Sequence, residues 1–324
     1  MTAIVLGIPA GTGKLYAGPT LVALGRGYFA HEALDVTVIE SGGRRESIPL
    51  LAAGELDVSP QGPSLDFFRA WDPEQPIIMA ADHGSARPGR GSGAVVARPA
   101  LVESGELRDY VDLRGKRIGL SSIRGDHDWL TFASALKRGG LTFDDVEIVI
   151  ADFGNARHEA LIDGRIDLAT VGRLQSIADA KAEGTFVVWK HENEIRPGRQ
   201  QRTVMFGNRF WTQRGEEAVA YLTGYLRGAR DYYAAFEEGV DREAVVETLA
   251  EQSGYSIETV RSEMAPDYIN PNGRLDEEQI GEELAWFQQE GLLPHPIPLN
   301  CVVDQSFLDV ALARIGPYEP RGGR

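Results

Sequence analysis

The sequence predicts an α/β protein made of two similar βαβ lobes, followed by a helical C-terminal part. Three observations support this class. The chain nearly repeats itself at an offset of about 110 residues. Short apolar runs alternate with helix-like segments as far as Phe206, and the residues after it show helical periodicity. Because two copies are too few for a solenoid, the repeat indicates a pair of α/β units with a ligand-binding crevice between them.

The repeat keeps four landmarks in one register. These are an Asp before a strand, a Leu that closes a helix, a Gly after it, and an Asp that opens the next strand. Residues 35–39 match residues 145–149, and residues 51–57 match residues 161–167. We therefore expect the two lobes to have the same order of elements.

The first lobe is predicted to begin with a strand at residues 4–8 and a flexible loop at 9–14. Pro19 suits the first turn of the next helix, which Gly25 and Gly27 end. Further strands are predicted at residues 36–39, 56–59 and 77–81, with helices between them. This alternation is typical of a parallel sheet that is covered on both faces.

The second lobe shows the same alternation between two extended crossings at residues 94–97 and 203–206, which would form a hinge. Its strands are predicted at residues 116–120, 146–150, 166–170 and 186–189, and its helices at 126–137 and 156–163. The predicted domains are therefore residues 1–95 (first part of lobe 1), 96–202 (lobe 2) and 203–324 (return strand and C-terminal helices of lobe 1).

The C-terminal part is predicted to be helical and to pack against the first lobe. After a long first helix, each of the four later helices opens near an Asp or Ser that can serve as an N-cap. The predicted helices are residues 216–233, 241–253, 256–264, 276–290 and 304–315.

Composition excludes several classes of function. Because 48 Asp and Glu outnumber 33 Lys and Arg, the net charge is −15, and nucleic acid is not a predicted partner. The lone Cys301 excludes an intrachain disulfide. The six histidines lack metal-ligand spacing, so no metal site is predicted. No cofactor is expected either. No apolar run reaches the roughly 18 residues of a membrane-spanning helix.

Several short motifs follow one another in order across nearly the whole chain. They are LGRGYF at 24–29 before LDV at 34–36, AGELDV at 53–58, DLRGKRIG at 112–119, GL at 140–141 before DDV at 144–146, and VDQSFL at 303–308. In these motifs the chain resembles the NMT1/THI5-like, SsuA-like family of nitrate, sulfonate and taurine type substrate-binding proteins. The resemblance implies a type II periplasmic-binding-protein fold, with two lobes around a cleft and a two-strand hinge.

The resemblance also implies a function. A member of this type captures a small organic anion, such as a sulfonate or an aromatic carboxylate, for an ABC importer. The expected partners are the small-molecule ligand and an ABC permease, and the chain is expected to be a monomer. Because a strand-like run follows Met1 almost directly, we expect a cytoplasmic protein if Met1 is the native start, and a periplasmic or extracytoplasmic one if a signal peptide was removed.

An enzyme is the alternative, because the family also includes cytoplasmic enzymes. A decarboxylase or lyase acting on an aromatic acid would use His83 as its acid–base group, since the ordinary pKa of histidine lies near neutrality. Arg124 would then orient the carboxylate of the substrate. Relatives that use a cysteine in the first loop fit less well, because residues 9–15 contain none.

Candidate ligand-binding residues follow strands, where loops and helix N-termini direct backbone N–H groups toward a ligand. In the second lobe, Ser121 and Ser122 offer hydroxyl groups, and Arg124 offers a guanidinium that can bind a carboxylate or sulfonate. A solvated turn with an ordinary helix cap is the alternative interpretation of this loop. The full set is Thr12, Lys14, Tyr16, Gln61, Gly62, Ser64, His83, Ser121, Ser122, Arg124, Asn155 and Arg173.

Overall fold

Two five-stranded sheets form the framework of the protein. The computed structural model describes residues 1–41, 43–87, 93–152, 155–171, 184–263 and 267–321. The chain divides into a first unit, Met1–Ser85 with Gln200–Arg324, and a second unit, Ala86–Arg199. The predicted α/β class is confirmed, while the lobe boundaries at 95 and 203 stay predictions.

The strands of the two sheets alternate with helices along the chain. The strands are β1 (Thr2–Pro9), β2 (Leu34–Ser41), β3 (Val58–Gln61), β4 (Ile78–Ser85), β5 (Ala94–Ala97), β6 (Arg117–Leu120), β7 (Glu147–Ile150), β8 (Leu168–Val171), β9 (Val187–His191) and β10 (Gln200–Phe206). The first sheet has the order β2-β1-β3-β10-β4, and the second has the order β7-β6-β8-β5-β9.

The two sheets have the same topology, as the sequence repeat predicts. In the first sheet β1 pairs in parallel with β2 and β3, and β10 runs antiparallel between β3 and β4. In the second, β6 pairs in parallel with β7 and β8, and β5 runs antiparallel between β8 and β9. The sheets are mixed and not purely parallel, because the two segments predicted as crossings each join a sheet as an antiparallel strand.

Helices pack around these sheets. They are α1 (Gly18–Gly25), α2 (Tyr28–His31), α3 (Arg44–Ala53), α4 (Leu65–Ala70), α5 (Pro99–Glu103), α6 (His127–Arg138), α7 (Asn155–Ile162), α8 (Glu192–Ile195), α9 (Asn208–Gln213), α10 (Gly215–Glu237), α11 (Arg242–Ser253), α12 (Ile257–Glu263), α13 (Glu277–Gln289) and α14 (Ser306–Ile315). Short 3₁₀ helices occur at Gly11–Ala17, Tyr110–Leu113, Phe143–Asp145 and Leu299–Cys301. None of the described helices is long and apolar enough to cross a membrane.

The long helix α10 joins the C-terminal helices to the first sheet. It packs against α1, α2, α11 and α14, and its residues Tyr221, Leu222, Tyr225 and Leu226 are buried in the core. Gly228 allows a close approach of the two backbones, because a Cβ atom there would lie 2.6 Å from the carbonyl oxygen of Pro19 in α1. The predicted packing of the C-terminal helices on lobe 1 is therefore confirmed.

The aspartate that opens the third strand of each repeat ties two strands together. The backbone N–H of Val5 donates to Asp57 Oδ2 over 2.8 Å, and that of Arg117 donates to Asp167 Oδ2 over 2.9 Å. The other carboxylate oxygen binds Arg214 Nη1 at 3.0 Å in the first unit and Arg117 Nη2 at 2.7 Å in the second. The two aspartates thus perform the same structural task in both sheets.

Replacing Asp167 with Asn should lower the free energy of unfolding by about 2 kcal/mol, because hydrogen bonds to a charged group are lost. Burial raises the pKa of Asp167, but the hydrogen bonds and charge of Arg117 and the charge of Arg98 outweigh it and hold the pKa below its usual value. The stabilisation should therefore be present above about pH 4 and be lost as the pH falls through the lowered folded-state pKa. Urea unfolding followed by circular dichroism at several pH values measures this.

Asp35→Asn is the control, since Asp35 is another landmark of the repeat but is exposed. Its substitution should change the free energy of unfolding by less than about 0.5 kcal/mol. Equal losses for the two variants would contradict the structural role of Asp167.

Candidate functional site

Candidate site residues collect at one edge of each sheet, which we call the strand-end edge of that unit. It is formed by the carboxyl ends of the parallel strands together with the amino end of the antiparallel strand. In the first unit the edge includes the ends of β1 to β4 and the start of β10. In the second it includes the ends of β6 to β9 and the start of β5.

An arginine that the sequence analysis missed lies at the edge of the first unit. The guanidinium carbon of Arg202 is 4.0 Å from the centre of the Tyr16 ring, and its Nη1 donates to the carboxylate of Asp267. The Arg202 side chain is 20% exposed and that of Asp267 is 7% exposed. In the sequence, Arg202 is recognisable only as an arginine before the apolar residues of the return strand. This is a weak signal for a binding residue unless its partners Tyr16 and Asp267 are known.

Three predicted residues at or just after the end of β3 have their contacts within the first unit. Gln61 is buried, and its amide donates to the hydroxyls of Ser47 at 3.1 Å and Ser59 at 3.2 Å. Ser64 is the N-cap of α4 and accepts from the backbone N–H three residues later. A Cβ at Gly62 would lie 2.2 Å from a carbonyl oxygen of the neighbouring β10 segment, so glycine is needed there for close packing. These three residues therefore have structural roles at the strand-end edge of the first unit.

The first loop carries three predicted residues with different outcomes. The ring of Tyr16 lies against Arg202. The ammonium group of Lys14 lies 2.5 Å from Glu40 at the end of β2, which fixes this lysine within the unit. Thr12 lies in the 3₁₀ helix, and its side chain is outside the described part of the structure.

His83 is buried at the end of β4. Its Nε2 lies 2.9 Å from Thr20 Oγ1, and its ring stacks on Tyr225 with 5.4 Å between the centroids. Burial, together with the nearby charge of Arg202, lowers its pKa to about 3. His83 is therefore neutral at pH 7, which makes it a poor proton donor there, and its role in catalysis stays a prediction.

Asp82, next to His83, links β4 to the start of β10. Its carboxylate accepts from the side-chain amide of Gln200 and from the backbone N–H groups of Gly84 and Asn270. Burial raises the pKa of Asp82 to about 7, although these donors oppose the shift. The group holds together the segments that surround Arg202.

In the second unit, Ser121 is bound to a buried carboxylate. Its N–H and hydroxyl donate to Asp128 over 2.6 and 2.9 Å. Arg157 Nη2 donates to the same carboxylate over 2.6 Å, and its other nitrogens donate to Ala151 O at 2.8 Å and Thr170 Oγ1 at 2.9 Å. Burial lowers the pKa of Arg157, and Asp128 opposes this shift. The buried pair therefore joins the ends of β6, β7 and β8.

Ser122 and Arg124 in the same loop are exposed. The N–H and hydroxyl of Ser122 donate to Asp152 Oδ1 over 2.7 and 3.0 Å. The guanidinium of Arg124 lies 5.1 Å from the centre of the Trp129 ring, and Trp129 Nε1 donates to Ser121 O over 3.0 Å. The structure thus brings Ser121, Ser122 and Arg124 together next to the start of α6.

A histidine–glutamate pair also lies at the edge of the second unit. Nε2 of His127, the first residue of α6, contacts the buried carboxylate of Glu192, the first residue of α8. Burial raises the pKa of Glu192, but the charges of His127, Arg199 and Arg196 outweigh it, so the pKa is lowered. The sequence analysis did not single out this pair, whose members come from distant segments.

The contacts of two further predicted residues of the second unit are not described. Asn155 begins α7, but its side chain lies outside the described part of the structure. Arg173 falls in residues 172–183, which also lie outside the described residues. Among the residues that are described, no group of His, Cys, Asp and Glu side chains is arranged to hold a metal ion.

Comparison with known proteins identifies the family. The NMT1/THI5-like family model matches residues 15–238, so the chain belongs to that family. Among solved structures, the periplasmic sulfonate-binding protein SsuA from Methylobacillus flagellatus KT is 18% identical, with a TM-score of 0.73 over 100% of this chain and 98% of that one. No curated protein sequence gives a significant match.

Two further solved structures share the fold. The aliphatic sulphonate binding protein SsuA from Escherichia coli is 15% identical, with a TM-score of 0.68 over 95% of this chain and 99% of that one. The desulfurization enzyme DSZB is 16% identical, with a TM-score of 0.58 over 97% of this chain and all of that one. The predicted type II periplasmic-binding-protein fold is confirmed, and both binding proteins and an enzyme share it.

Breaking the buried Asp128–Arg157 pair should destabilise the protein strongly. Asp128→Leu or Arg157→Met alone should lower the free energy of unfolding by about 3–5 kcal/mol, because each leaves a buried group without its partner. The double variant Asp128→Leu with Arg157→Met should lose less than either single variant, since no unpaired charge remains buried. Chemical denaturation of the four proteins measures these differences.

Arg165→Met is the matched control, because Arg165 pairs with Asp163 where both side chains are more than half exposed. We expect a change of less than about 1 kcal/mol. A double variant as unstable as the sum of the two single variants would contradict a coupled pair.

Proposed function

We propose that this protein is a solute-binding protein that captures a small organic anion, such as a sulfonate or an aromatic carboxylate, for an ABC importer. The observation that carries this proposal is Arg202, whose guanidinium lies over Tyr16 at the strand-end edge of the first unit. In a chain of net charge −15, a cation held at this edge provides a local site for an anion.

The chemistry of Arg202 fits such a ligand. A guanidinium has five N–H donors in a planar fork, and among the described residues only its Nη1 has a hydrogen bond to a carboxylate, that of Asp267. The fork can bind two oxygens of a carboxylate or sulfonate. The ring of Tyr16 adds an aromatic surface for the organic part of the ligand.

The second unit supplies further candidate groups at its own edge. Ser122 and Arg124 lie next to the start of α6, where the helix dipole favours negative charge. Support also comes from membership of the NMT1/THI5-like family and from the SsuA fold. The proposed role implies an extracytoplasmic location and an ABC permease as partner. Thr12, Lys14, Asn155 and Arg173 stay predictions as ligand contacts.

An enzyme that acts on an aromatic acid is the second candidate. The contact between His127 and Glu192 favours it, because a carboxylate that orients an imidazole is a common arrangement for acid–base catalysis. The fold shared with the enzyme DSZB is compatible with this alternative but shows fold alone. His127 is more exposed than His83 and is the better placed of the two histidines for such a role.

A matching ligand should raise the melting temperature, because a compound that binds only the folded state stabilises it by mass action. At a concentration 100 times the Kd this stabilisation is about 2.7 kcal/mol. A thermal-shift screen of alkanesulfonates, aromatic sulfonates, aromatic carboxylates and neutral aromatic amides tests the ligand class. We expect shifts only among the anions.

Neutral amides that match the anions in shape are the control for this screen. Absence of any shift among the anions, or equal shifts for the amides, would contradict the proposal. A hit that mass spectrometry recovers unchanged after incubation supports binding alone. Conversion of the hit, lost in His127→Gln, would establish the enzyme instead.

Replacing Arg124 with Ala should weaken binding of the best anionic hit about 10- to 100-fold, since a hydrogen bond to a charged group contributes about 1.5–3 kcal/mol. The melting temperature of the empty protein should change little, because Arg124 is exposed. Isothermal titration calorimetry measures the affinity. Arg138→Ala is the control, since Arg138 is an exposed cation at the opposite end of α6. Equal losses in both variants would show that Arg124 has no specific contact.

A further inference from the structure

Two adjacent serines at the edge of the second unit make the same contact with different carboxylates. In each, the backbone N–H and the side-chain hydroxyl donate to one aspartate, which is Asp128 for Ser121 and Asp152 for Ser122. Two donors that converge on a carboxylate form a small anion site. Both sites are therefore filled by the protein's own side chains.

The Ser121 contact is fixed in the fold. Asp128 is completely buried and also binds Arg157, which is 2% exposed. Removing this carboxylate from its place would leave a buried guanidinium without its partner, which is costly. We conclude that no ligand displaces Asp128 from Ser121.

The Ser122 contact differs from the Ser121 contact both in burial and in the pairing of its carboxylate. Ser122 and Asp152 are both exposed, and a single oxygen, Asp152 Oδ1, accepts both hydrogen bonds. The charge of Arg157 acts on Asp152, but Arg157 keeps its buried partner Asp128 when Asp152 moves away, so no cation is left without a partner. The hydrogen bonds from Ser122 lower the pKa of Asp152, so the group is ionised at neutral pH. Its carboxylate can therefore move into water, where it is well solvated.

We propose that Asp152 is an internal competitor of the ligand. In the empty protein its carboxylate occupies the place at Ser122 where an anionic oxygen of the ligand binds, and the ligand displaces it. This inference rests on the proposed function and narrows it, because the ligand must present an oxyanion that replaces a carboxylate. A neutral or cationic solute leaves Asp152 in its place.

The competition has a measurable size. If a tethered side chain occupies a site for most of the time, the apparent Kd of a ligand rises in inverse proportion to the fraction of open sites. A site that is open for about a tenth of the time would bind an anion about tenfold more weakly. Removing the Asp152 carboxylate should restore this roughly tenfold factor in affinity, although the substitution also removes the contact with Ser122 from the folded protein.

Methanesulfonate and acetate are the probes, because they carry the proposed oxyanion with little else. Their binding is followed by the chemical shifts of the Ser122 backbone amide and the Trp129 indole N–H in the intact chain. We expect Asp152→Ala to bind both anions about tenfold more tightly than the natural chain. Equal or weaker binding by Asp152→Ala would overturn the proposal.

Two control variants separate occupancy of the site from the loss of one negative charge. Asp152→Asn removes the charge but keeps an oxygen that can accept from Ser122, so its gain should be smaller than that of Asp152→Ala. Asp145→Ala removes another carboxylate, which lies before β7, at the opposite end of that strand. It accepts from the N–H and hydroxyl of Thr142 and also pairs with Arg114. The Asp145→Ala variant should bind the probes with the same affinity as the natural chain.

Equal gains in Asp152→Ala and Asp152→Asn, or a gain in Asp145→Ala, would show that charge alone is responsible and would overturn the inference. Such a failure is distinguishable from failure of the proposed function. The chemical shifts of Ser122 and Trp129 report on binding of the probes at this one loop, whereas the thermal-shift screen reports on binding of the complete ligand anywhere in the protein.

Discussion

Buried polar groups at the strand-end edges need hydrogen-bond partners inside the protein, and this constraint determines which polar groups are available for a ligand. A buried donor or acceptor without a partner costs about 1–3 kcal/mol. In the second unit the Asp128–Arg157 pair meets this requirement, because it binds the loop after β6 and the ends of β7 and β8. In the first unit Asp82 does so, with donors from Gln200, Gly84 and Asn270.

The same constraint separates ligand candidates from structural residues. Gln61, Ser64 and Ser121 are polar residues at or just after the ends of strands, yet each is hydrogen-bonded within its unit and buried. Arg202 and Ser122 differ, because each combines a structural partner with exposure to solvent. A residue at the end of a strand thus has a candidate binding role only if the fold leaves part of its hydrogen-bonding capacity to solvent.

The sequence repeat predicted the sheets well because its landmarks perform the same structural task in both copies. Gly54 and Gly164 end helices with positive φ values of 72° and 68°, which favour glycine, and Asp57 and Asp167 bind the N–H of a neighbouring strand. The antiparallel placement of β5 and β10 was not predictable, since strand direction depends on pairing with distant segments. For the same reason the sequence did not reveal Arg202, whose partners Tyr16 and Asp267 lie far away in the chain.

The adjacent residues Ser121 and Ser122 show how burial changes the meaning of one chemical contact. A carboxylate that is buried and paired with Arg157 is a permanent part of the fold, because its removal exposes an uncompensated charge. An exposed carboxylate with the same two hydrogen bonds contributes less to stability, since water replaces the protein donors at little cost. An exposed anion site that is filled by its own side chain in this way keeps its donors satisfied while the protein is empty. The edge of the second unit thus combines a permanent contact, Ser121 with Asp128, with an exposed contact, Ser122 with Asp152, in which an external anion can replace the carboxylate.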